Sequence, residues 1–324
     1  MKTQIQFEKL FNNELSDEEA RDFLVALHDR GEISSEIAMA ARLMREYSIK
    51  LPISQELQDK AIDIVGTGGD KSGTFNISTT VSLLLASMGC VVAKHGNRSV
   101  TSQSGSADVL EALGIRLDLD LEQQAKMLKE MNFCFMFAPN HHPAMKHIMP
   151  IRQSIPHRTI FNILGPLTNP AGVNKYLIGV FDEAYIEPVA NALVELKVKR
   201  AFVVSSLDHT DEISISTKTA FAFVEDGYIS HGEIDPVGLG FKLSAPEDIL
   251  GGDATHNAQI IQDIFSGKET GAKLDAVLIN AAFALFVDEK AIDISEGIAM
   301  AKRAIEDGTA MKYLDEIVKF SQTI

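Results

Sequence analysis

Cysteine is scarce in this chain: Cys90 and Cys134 are the only two among 324 residues. That excludes a disulfide framework and any CxxC zinc site, and it is the usage of a reducing compartment. Long apolar runs are missing too. No stretch approaches the roughly 20 apolar residues that span a bilayer, and the N-terminal MKTQIQFEKLFNNELSDEE lacks the apolar core of a signal peptide. The expected setting is the cytoplasm, with no membrane partner. Positive charge is in short supply, 30 Lys and Arg against 45 Asp and Glu, for a net charge of -15. Such a surface repels a phosphate backbone and argues against nucleic acid as a partner. It still allows a small anionic ligand in a locally basic pocket. There is no internal repeat and no low-complexity segment. What remains is globular composition, 45 % hydrophobic and 23 % charged, with enough apolar matter for a real core. At about 150 residues per domain, the length suits two domains or one large one.

The first sixty residues read as helical. Ser16 and Glu19 form a capping box, Ala20, Phe23, Leu24 and Leu27 make one apolar stripe, and Gly31 supplies a left-handed stop. A second helix starts at Ser34 with Ile37, Ala41 and Met44 on one face, and Pro52 breaks the run. From Ala61 the pattern changes. Apolar strands at 62–65, 90–93, 133–137, 176–181 and 201–204 alternate with helical stretches at 80–88, 106–113, 121–131 and 185–196. Such alternation means βαβ units and a largely parallel sheet. Residues 219–225 and 228–233 flank Asp226-Gly227, a hairpin signal, and three helices close the chain around 257–265, 274–286 and 295–306, the last stopped by Gly308. Between 141 and 170 the chain carries Pro143, Pro150, Pro156, Pro166 and Pro170, the mark of a broken helical crossover returning to the small helical unit. The expected fold is α/β. A small N-terminal helical domain (1–60, completed by a crossover around 144–168) joins a larger α/β domain (61–324), whose mostly parallel central sheet is flanked by helices.

Gly66-Thr67-Gly68-Gly69-Asp70 follows a strand, where amides can approach an anion closely. It is not a dinucleotide fingerprint, because Lys71 stands where the third glycine belongs. The only Gly-Lys, Gly267-Lys268, precedes Glu269 and so makes no Walker motif. Alone, the cluster reads as a tight turn. Just after it, Thr74-Phe75-Asn76-Ile77-Ser78-Thr79-Thr80 sets hydroxyls at a helix start, an anion cradle aided by the helix dipole. The next strand ends in Lys94-His95-Gly96-Asn97-Arg98-Ser99, followed by the hydroxyl-rich Thr101 to Ser106. Loops at the C-terminal ends of parallel strands gather on one edge, so these segments point to a phosphate-type ligand. Asp211-Glu212 can hold Mg²⁺ there. His141, His142 and His147 lack zinc spacing and read as loop residues at the substrate entrance. Arg152 and Arg158, in the crossover, can clamp a carboxylate or simply pair with acids.

Together, Gly66 to Asp70, Thr74 to Thr79, Lys94 to Arg98, Ser104-Gly105-Ser106-Ala107-Asp108, Arg158-Thr159-Ile160-Phe161-Asn162, Leu164-Gly165-Pro166-Leu167, Asn169-Pro170 and Asp211-Glu212 closely resemble the anthranilate phosphoribosyltransferases, in that family's order. The resemblance implies transfer of the phosphoribosyl group of phosphoribosyl diphosphate (PRPP) to the amine of anthranilate, an early step of tryptophan synthesis. It implies a homodimer joined through the helical domain. Carried over by motif, Gly66, Gly69, Asp70, Thr74, Asn76, Ile77, Ser78, Thr79, Lys94, His95, Gly96, Asn97, Arg98, Ser99, Val100, Thr101, Ser102 and Ser106 contact PRPP. Gly66, Asn97 and Arg152 face anthranilate, with His95 at its entrance. Ser78, Asp211 and Glu212 bind Mg²⁺, as two ions, and Lys94, Asn97 and Arg152 carry the catalysis. One departure stands out. The family commonly has His-Gly before the acidic pair and Gly-Leu within that stretch, where this chain reads Ser205-Ser206-Leu207-Asp208-His209-Thr210. Two rivals share the architecture, a pyrimidine nucleoside phosphorylase and a non-catalytic nucleic-acid-binding paralogue. The second should be basic and lack the acidic pair.

Overall fold

The computed structural model describes residues 2–69, 72–99 and 103–324. Asp70, Val100, Thr101 and Ser102, all expected at the site, lie outside the described residues. The chain opens with α1 (Lys2–Phe11), α2 (Asp17–Arg30), α3 (Ser34–Glu46) and the short α4 (Gln55–Lys60). The α2 capping box forms as read: Ser16 Oγ accepts the Glu19 amide, and the Ser16 amide donates to Glu19 Oε2 at 2.8 Å. Gly31 takes φ 81°, the left-handed region that glycine enters without steric penalty.

The elements β1 (Ala61–Gly66), α5 (Ile77–Ser87), β2 (Val91–Gly96), α6 (Ser106–Ala112), α7 (Leu121–Met131) and β3 (Phe133–Phe137) then alternate. The proline-rich crossover is broken into α8 (Ala138–His141), α9 (Met145–Ser154) and α10 (Phe161–Leu167), with Pro150 and Pro166 inside the last two. Next come β4 (Lys175–Gly179), α11 (Ile186–Glu195), β5 (Arg200–Ser206), β6 (Thr219–Glu225) and β7 (Tyr228–Ile234). Asp226 and Gly227 both have positive φ, as the tight β6–β7 hairpin requires. The chain ends in α12 (Ala254–Phe265), α13 (Ala272–Val287), α14 (Ile294–Glu306) and α15 (Thr309–Thr323). Here the expectation of three closing helices is corrected to four. Gly308, at φ 79°, turns the chain between α14 and α15 instead of ending it. The apolar face of α15 is buried through Tyr313, Leu314 and Ile317.

One seven-stranded sheet runs in the order β3-β2-β1-β4-β5-β6-β7. The first five strands are parallel, and β6 and β7 are antiparallel additions. Successive strands move outward from β1 on one side, then return to its other side at β4. That reversal opens a crevice beyond the carboxyl ends of β1 and β4, where ligands bind in open α/β sheets. Helix α13 is buried along nearly its whole length because it lies on β4 and β5 between α5 and α14. On the other side α3 packs on α10 and α11, and α9 packs on α1 and α2. Arg45 of α3 donates to the Leu167 carbonyl at 2.6 Å, and Phe11 meets Phe161 edge-on. The crossover thus joins the N-terminal helices.

Candidate active site

At the end of β1 the backbone leaves no room for side chains. A Cβ on Gly66 would lie 2.3 Å from Asp211 Oδ2, and one on Gly179 of β4 only 1.6 Å from the Asp211 carbonyl oxygen. These glycines let the acidic loop cross the mouth of the β1/β4 crevice. Gly68 and Gly69 follow at φ 68° and 72°, and the Gly68 amide donates to Asp211 Oδ2 at 2.6 Å. The Ser78 amide, in the first turn of α5, donates to Glu212 Oε1 at 3.2 Å. Both carboxylates therefore lie on amides that point into the crevice. Their oxygens, with the Ser78 hydroxyl, form the all-oxygen donor set that Mg²⁺ prefers, so these residues fit the ion.

The acidic loop is held from two sides. Asn280 of α13 mimics a strand partner, accepting the Ile213 amide at 3.0 Å and donating to the Ile213 carbonyl at 2.9 Å. Where the sequence departs from the family pattern, Asp208 is the centre of a compact network. It accepts from Ser206 Oγ, from Thr210 Oγ1 at 3.1 Å and from Ser214 Oγ at 2.7 Å, while His209 turns the chain at φ 63°. Side-chain hydrogen bonds do here what glycine would do by backbone freedom alone.

Lys94 of β2 is almost fully buried, yet donates to the Ile64 carbonyl at 2.6 Å and to Ser78 Oγ at 3.4 Å. Burial lowers its pKa, against the pull of Asp63 and Glu212. Asp63 is buried at β1, where burial raises its pKa to about 6 against Lys94 and the hydrogen bonds from Asn169 and the His95 amide. Asn169 Nδ2 bridges Asp63 Oδ2 and the Ala93 carbonyl, each at 2.8 Å. The crossover is thereby tied to the strands that carry the site.

The neighbouring loop is organised from α6. Asp108 accepts the amides of Ser99 and Gly105 at 3.0 and 2.9 Å. Arg98 forks onto Glu111, at 2.6 and 2.7 Å, and reaches Asp108 at 2.9 Å, so its side chain braces α6 instead of facing the crevice. Asn97 Oδ1 accepts the Arg98 amide at 2.8 Å. Gly96 is required because a Cβ would meet Phe135 at 2.8 Å. Thr79 donates to Ser106 Oγ at 3.1 Å, linking the starts of α5 and α6. Asn76 donates to the Ser104 carbonyl at 3.1 Å and accepts from Asn257 at 2.9 Å. Thr74 bridges to Leu250, and the Ile77 side chain is buried in the core. The Asn76 side chain is braced from two sides.

The crossover closes the other side. Among the described residues Arg152 makes no ion pair. Its half-buried guanidinium touches only Met149 Sδ, Asn162 Oδ1 at 3.4 Å and the Phe161 ring, and burial lowers its pKa. A desolvated cation without a counter-ion is a ready site for a carboxylate. Arg158 does something else: it lies 3.6 Å over the Phe181 ring and donates to the Gly69 carbonyl, holding the glycine turn. His95 is buried behind the loop, not at an open mouth. Its Nδ1–H donates to the Gly165 carbonyl at 3.3 Å, and its Nε2 accepts from His142 Nε2 at 3.2 Å. Burial holds His95 well below the ordinary imidazole pKa and lowers His142 to about 4. The expectation that His141 and His147 line an entrance is corrected. His141 is fully buried between the Ile49 carbonyl and Gln124, and His147 bonds to the Leu10 carbonyl.

A family model described as "Glycosyl transferase family, a/b domain" matches residues 58–311. The chain is 43 % identical to an anthranilate phosphoribosyltransferase of Rubrobacter xylanophilus, over 98 % of this chain and 92 % of that relative. The chain belongs to the anthranilate phosphoribosyltransferase family. Among solved structures it superposes on the Thermus thermophilus member with a TM-score of 0.91, at 38 % identity over 99 % of this chain and 94 % of that one. The Saccharomyces cerevisiae member in complex with PRPP and Mg matches with a TM-score of 0.87, at 26 % identity over 99 % and 92 %. Beside the motifs of the anthranilate phosphoribosyltransferase family, the sequence reading missed four residues that build the site. A carboxylate inside an apolar strand was the available signal for Asp63, and an amide inside an apolar helix the signal for Asn280. Gly179 and Asp208 carried no such signal, because their roles depend on which loop crosses above them.

Proposed function

We propose that this protein transfers the 5-phosphoribosyl group of PRPP to the amine of anthranilate, releasing diphosphate. The observation that carries the reading is the amide-lined glycine turn with the Asp211–Glu212 pair lying on it, beside a crossover whose Arg158 reaches that turn and whose Arg152 makes no ion pair among the described residues. The Gly68 and Ser78 amides, with the start of α5, would bind phosphate oxygens, and Ser78, Asp211 and Glu212 would hold the metal. Bound Mg²⁺ supplies countercharge to the departing diphosphate. Lys94, at Ser78 and otherwise dry, adds positive charge where negative charge develops, usually the largest catalytic term. Arg152 takes the anthranilate carboxylate, and Asn97 lies on the loop that completes the acceptor side. The amine nitrogen forms its bond to C1 as the C1–O bond to diphosphate breaks, through an oxocarbenium-like state with inversion, and the amine loses one proton to solvent. No side-chain nucleophile is needed, so positioning supplies much of the acceleration.

Several finer points belong to the same proposal. Ser78, Asp211 and Glu212 hold two ions, the donors being spread over two segments. Residues 1–60 with the crossover around 144–168 act as a helical domain that closes on the α/β domain of 61–324. Two copies join through the helical domain, whose exposed Ile5, Ile33 and Ile49 support that face. The enzyme works in the cytoplasm; no helix among the described residues is long and apolar enough to cross a membrane. The decisive assay is anthranilate fluorescence, which should fall when PRPP and Mg²⁺ are added. A constant signal, with phosphorolysis of thymidine or uridine instead, would replace this reading with the phosphorylase.

A further inference from the structure

Away from the crevice, three metal-ligating side chains from two distant segments stand together. His28 and Asp29 lie in the last turn of α2, and His157 lies between α9 and α10. One donor atom from each falls within 4.8 Å of the others. The two imidazoles lie face to face, with centroids 4.0 Å apart and planes inclined by 19°. His157 Nδ1–H donates to the Arg158 carbonyl at 2.8 Å. A carbonyl can only accept, so this bond fixes the proton on Nδ1 and leaves Nε2 with a free lone pair. A ring N–H held by a backbone carbonyl is the usual support of a metal-bound histidine. Among the described residues neither His28 nor Asp29 nor His157 is in an ion pair, and the adjacent Arg30 is committed to Glu36.

We propose that His28, Asp29 and His157 form a binding site for a divalent transition ion of the zinc class, which fastens the end of α2 to the crossover. Two imidazoles and one carboxylate suit Zn²⁺, Co²⁺ or Ni²⁺, whereas Mg²⁺ and Ca²⁺ prefer oxygen throughout. The ion of the transfer reaction therefore does not compete. With metal–ligand bonds of about 2.0 Å, donors around tetrahedral zinc stand about 3.3 Å apart. Donors within 4.8 Å of one another have to contract by at most about 1.5 Å, a movement that side-chain rotation supplies, since Asp29 is exposed and both rings are partly so. Water completes the coordination. The tie bears on the crevice by position: Arg158 follows His157 directly and holds the Gly69 carbonyl. The site stands whether or not the protein transfers a phosphoribosyl group.

The test is a titration of chelator-stripped full-length protein with Co²⁺ alone, in excess Mg²⁺ so that the acidic pair is filled. Visible absorption follows binding, and Zn²⁺ is the competitor. One equivalent of cobalt should bind and be displaced by zinc, and zinc should raise the melting temperature. His157→Gln and His28→Gln should each weaken cobalt binding by at least about tenfold and remove the thermal shift, while Asp211→Asn leaves both intact. Circular dichroism of the variants before metal is added separates a lost ligand from a lost fold. Cobalt binding unchanged in His157→Gln, or abolished in Asp211→Asn, would overturn the site.

Discussion

The two ends of the central sheet hold their charged groups differently. At the amino end of β4 and β5, the cations that open the strands each have an acid. Lys175 meets Asp288 at 3.1 Å, Lys199 meets Glu289 at 3.0 Å, and Arg200 reaches Glu225 at 3.3 Å and Glu289 at 3.6 Å. At the carboxyl end, Arg152 has no acid among the described residues, Lys94 donates to a carbonyl and a hydroxyl, and Asp211 and Glu212 accept backbone amides. At the amino end neighbouring acids neutralise these cations; at the carboxyl end Arg98 is paired and Lys94 lies in the field of Asp63 and Glu212, but Arg152 meets no acid among the described residues. A difference of that kind marks where binding energy is kept in reserve.

The comparison can be broken at either end. The largest effect is expected for Asp211→Asn combined with Glu212→Gln, which should lower turnover by at least about a thousandfold at ordinary Mg²⁺. Initial rates across a magnesium series check this; an unchanged magnesium dependence would make the acids mere surface. At the opposite end, Lys175→Met leaves Asp288 buried without its partner. It should cost about 3–5 kcal/mol of stability in urea unfolding, while turnover well below the melting point stays close to wild type. Equal damage to both quantities would erase the distinction between the two ends.

Arg152→Ala should raise the anthranilate KM by about a hundredfold and leave PRPP affinity, read by calorimetry, nearly unchanged. Parallel loss for both substrates would return Arg152 to a structural role. The histidine pair predicts a pH effect. His142 is held near 4 in the folded protein, below the ordinary 6.5, so between those values the unfolded chain binds more protons. Stability should therefore be full above about pH 6.5 and be lost as pH falls towards 4, by about 3 kcal/mol for this ring. In His142→Gln, melts across that range should lose this ring's share of the pH dependence and keep the share that buried His95 contributes. The smallest effect is expected at Asp208→Ala, which removes three hydroxyl partners from the acidic loop. It should raise the magnesium needed for half-maximal rate by about tenfold, equivalent to about one hydrogen bond. No change would show that Asn280 alone holds the loop.

Local chemistry was legible wherever neighbours in sequence remain neighbours in space. The Ser16–Glu19 box, the Asp226-Gly227 hairpin and the alternation of strands and helices follow from contacts within a few residues. The positive-φ glycines after β1 and the hydroxyls that open α5 are legible for the same reason, since glycine and hydroxyl density at a strand end is local. What escaped depends on distant partners. Helix α15 was hidden because Gly308 reads as a stop equally well as a turn. Arg158 reads equally as a carboxylate clamp or a partner of acids until Gly69 and Phe181 are seen beneath it, and nothing local shows that α6 brings Asp108 and Glu111 to the Arg98 side chain. His141 and His147 looked like entrance residues because no local pattern shows that Gln124 and Leu10 lie against them.

The chain by itself determined its fold class, the amide-rich turn and the acidic pair, because backbone freedom and apolar periodicity are properties of short segments. Only the folded molecule decided which cations find an acid. That choice is made by strand order, which sets β4 beside β1 and so carries Asp211 across Gly66, and by the crossover, which sets Arg152 against Asn162 and Phe161 without a described acid within reach. Coulomb interactions and desolvation act through space, not along the chain, so the same residue type is a brace at position 158 and, among the described residues, a cation without an acid at 152.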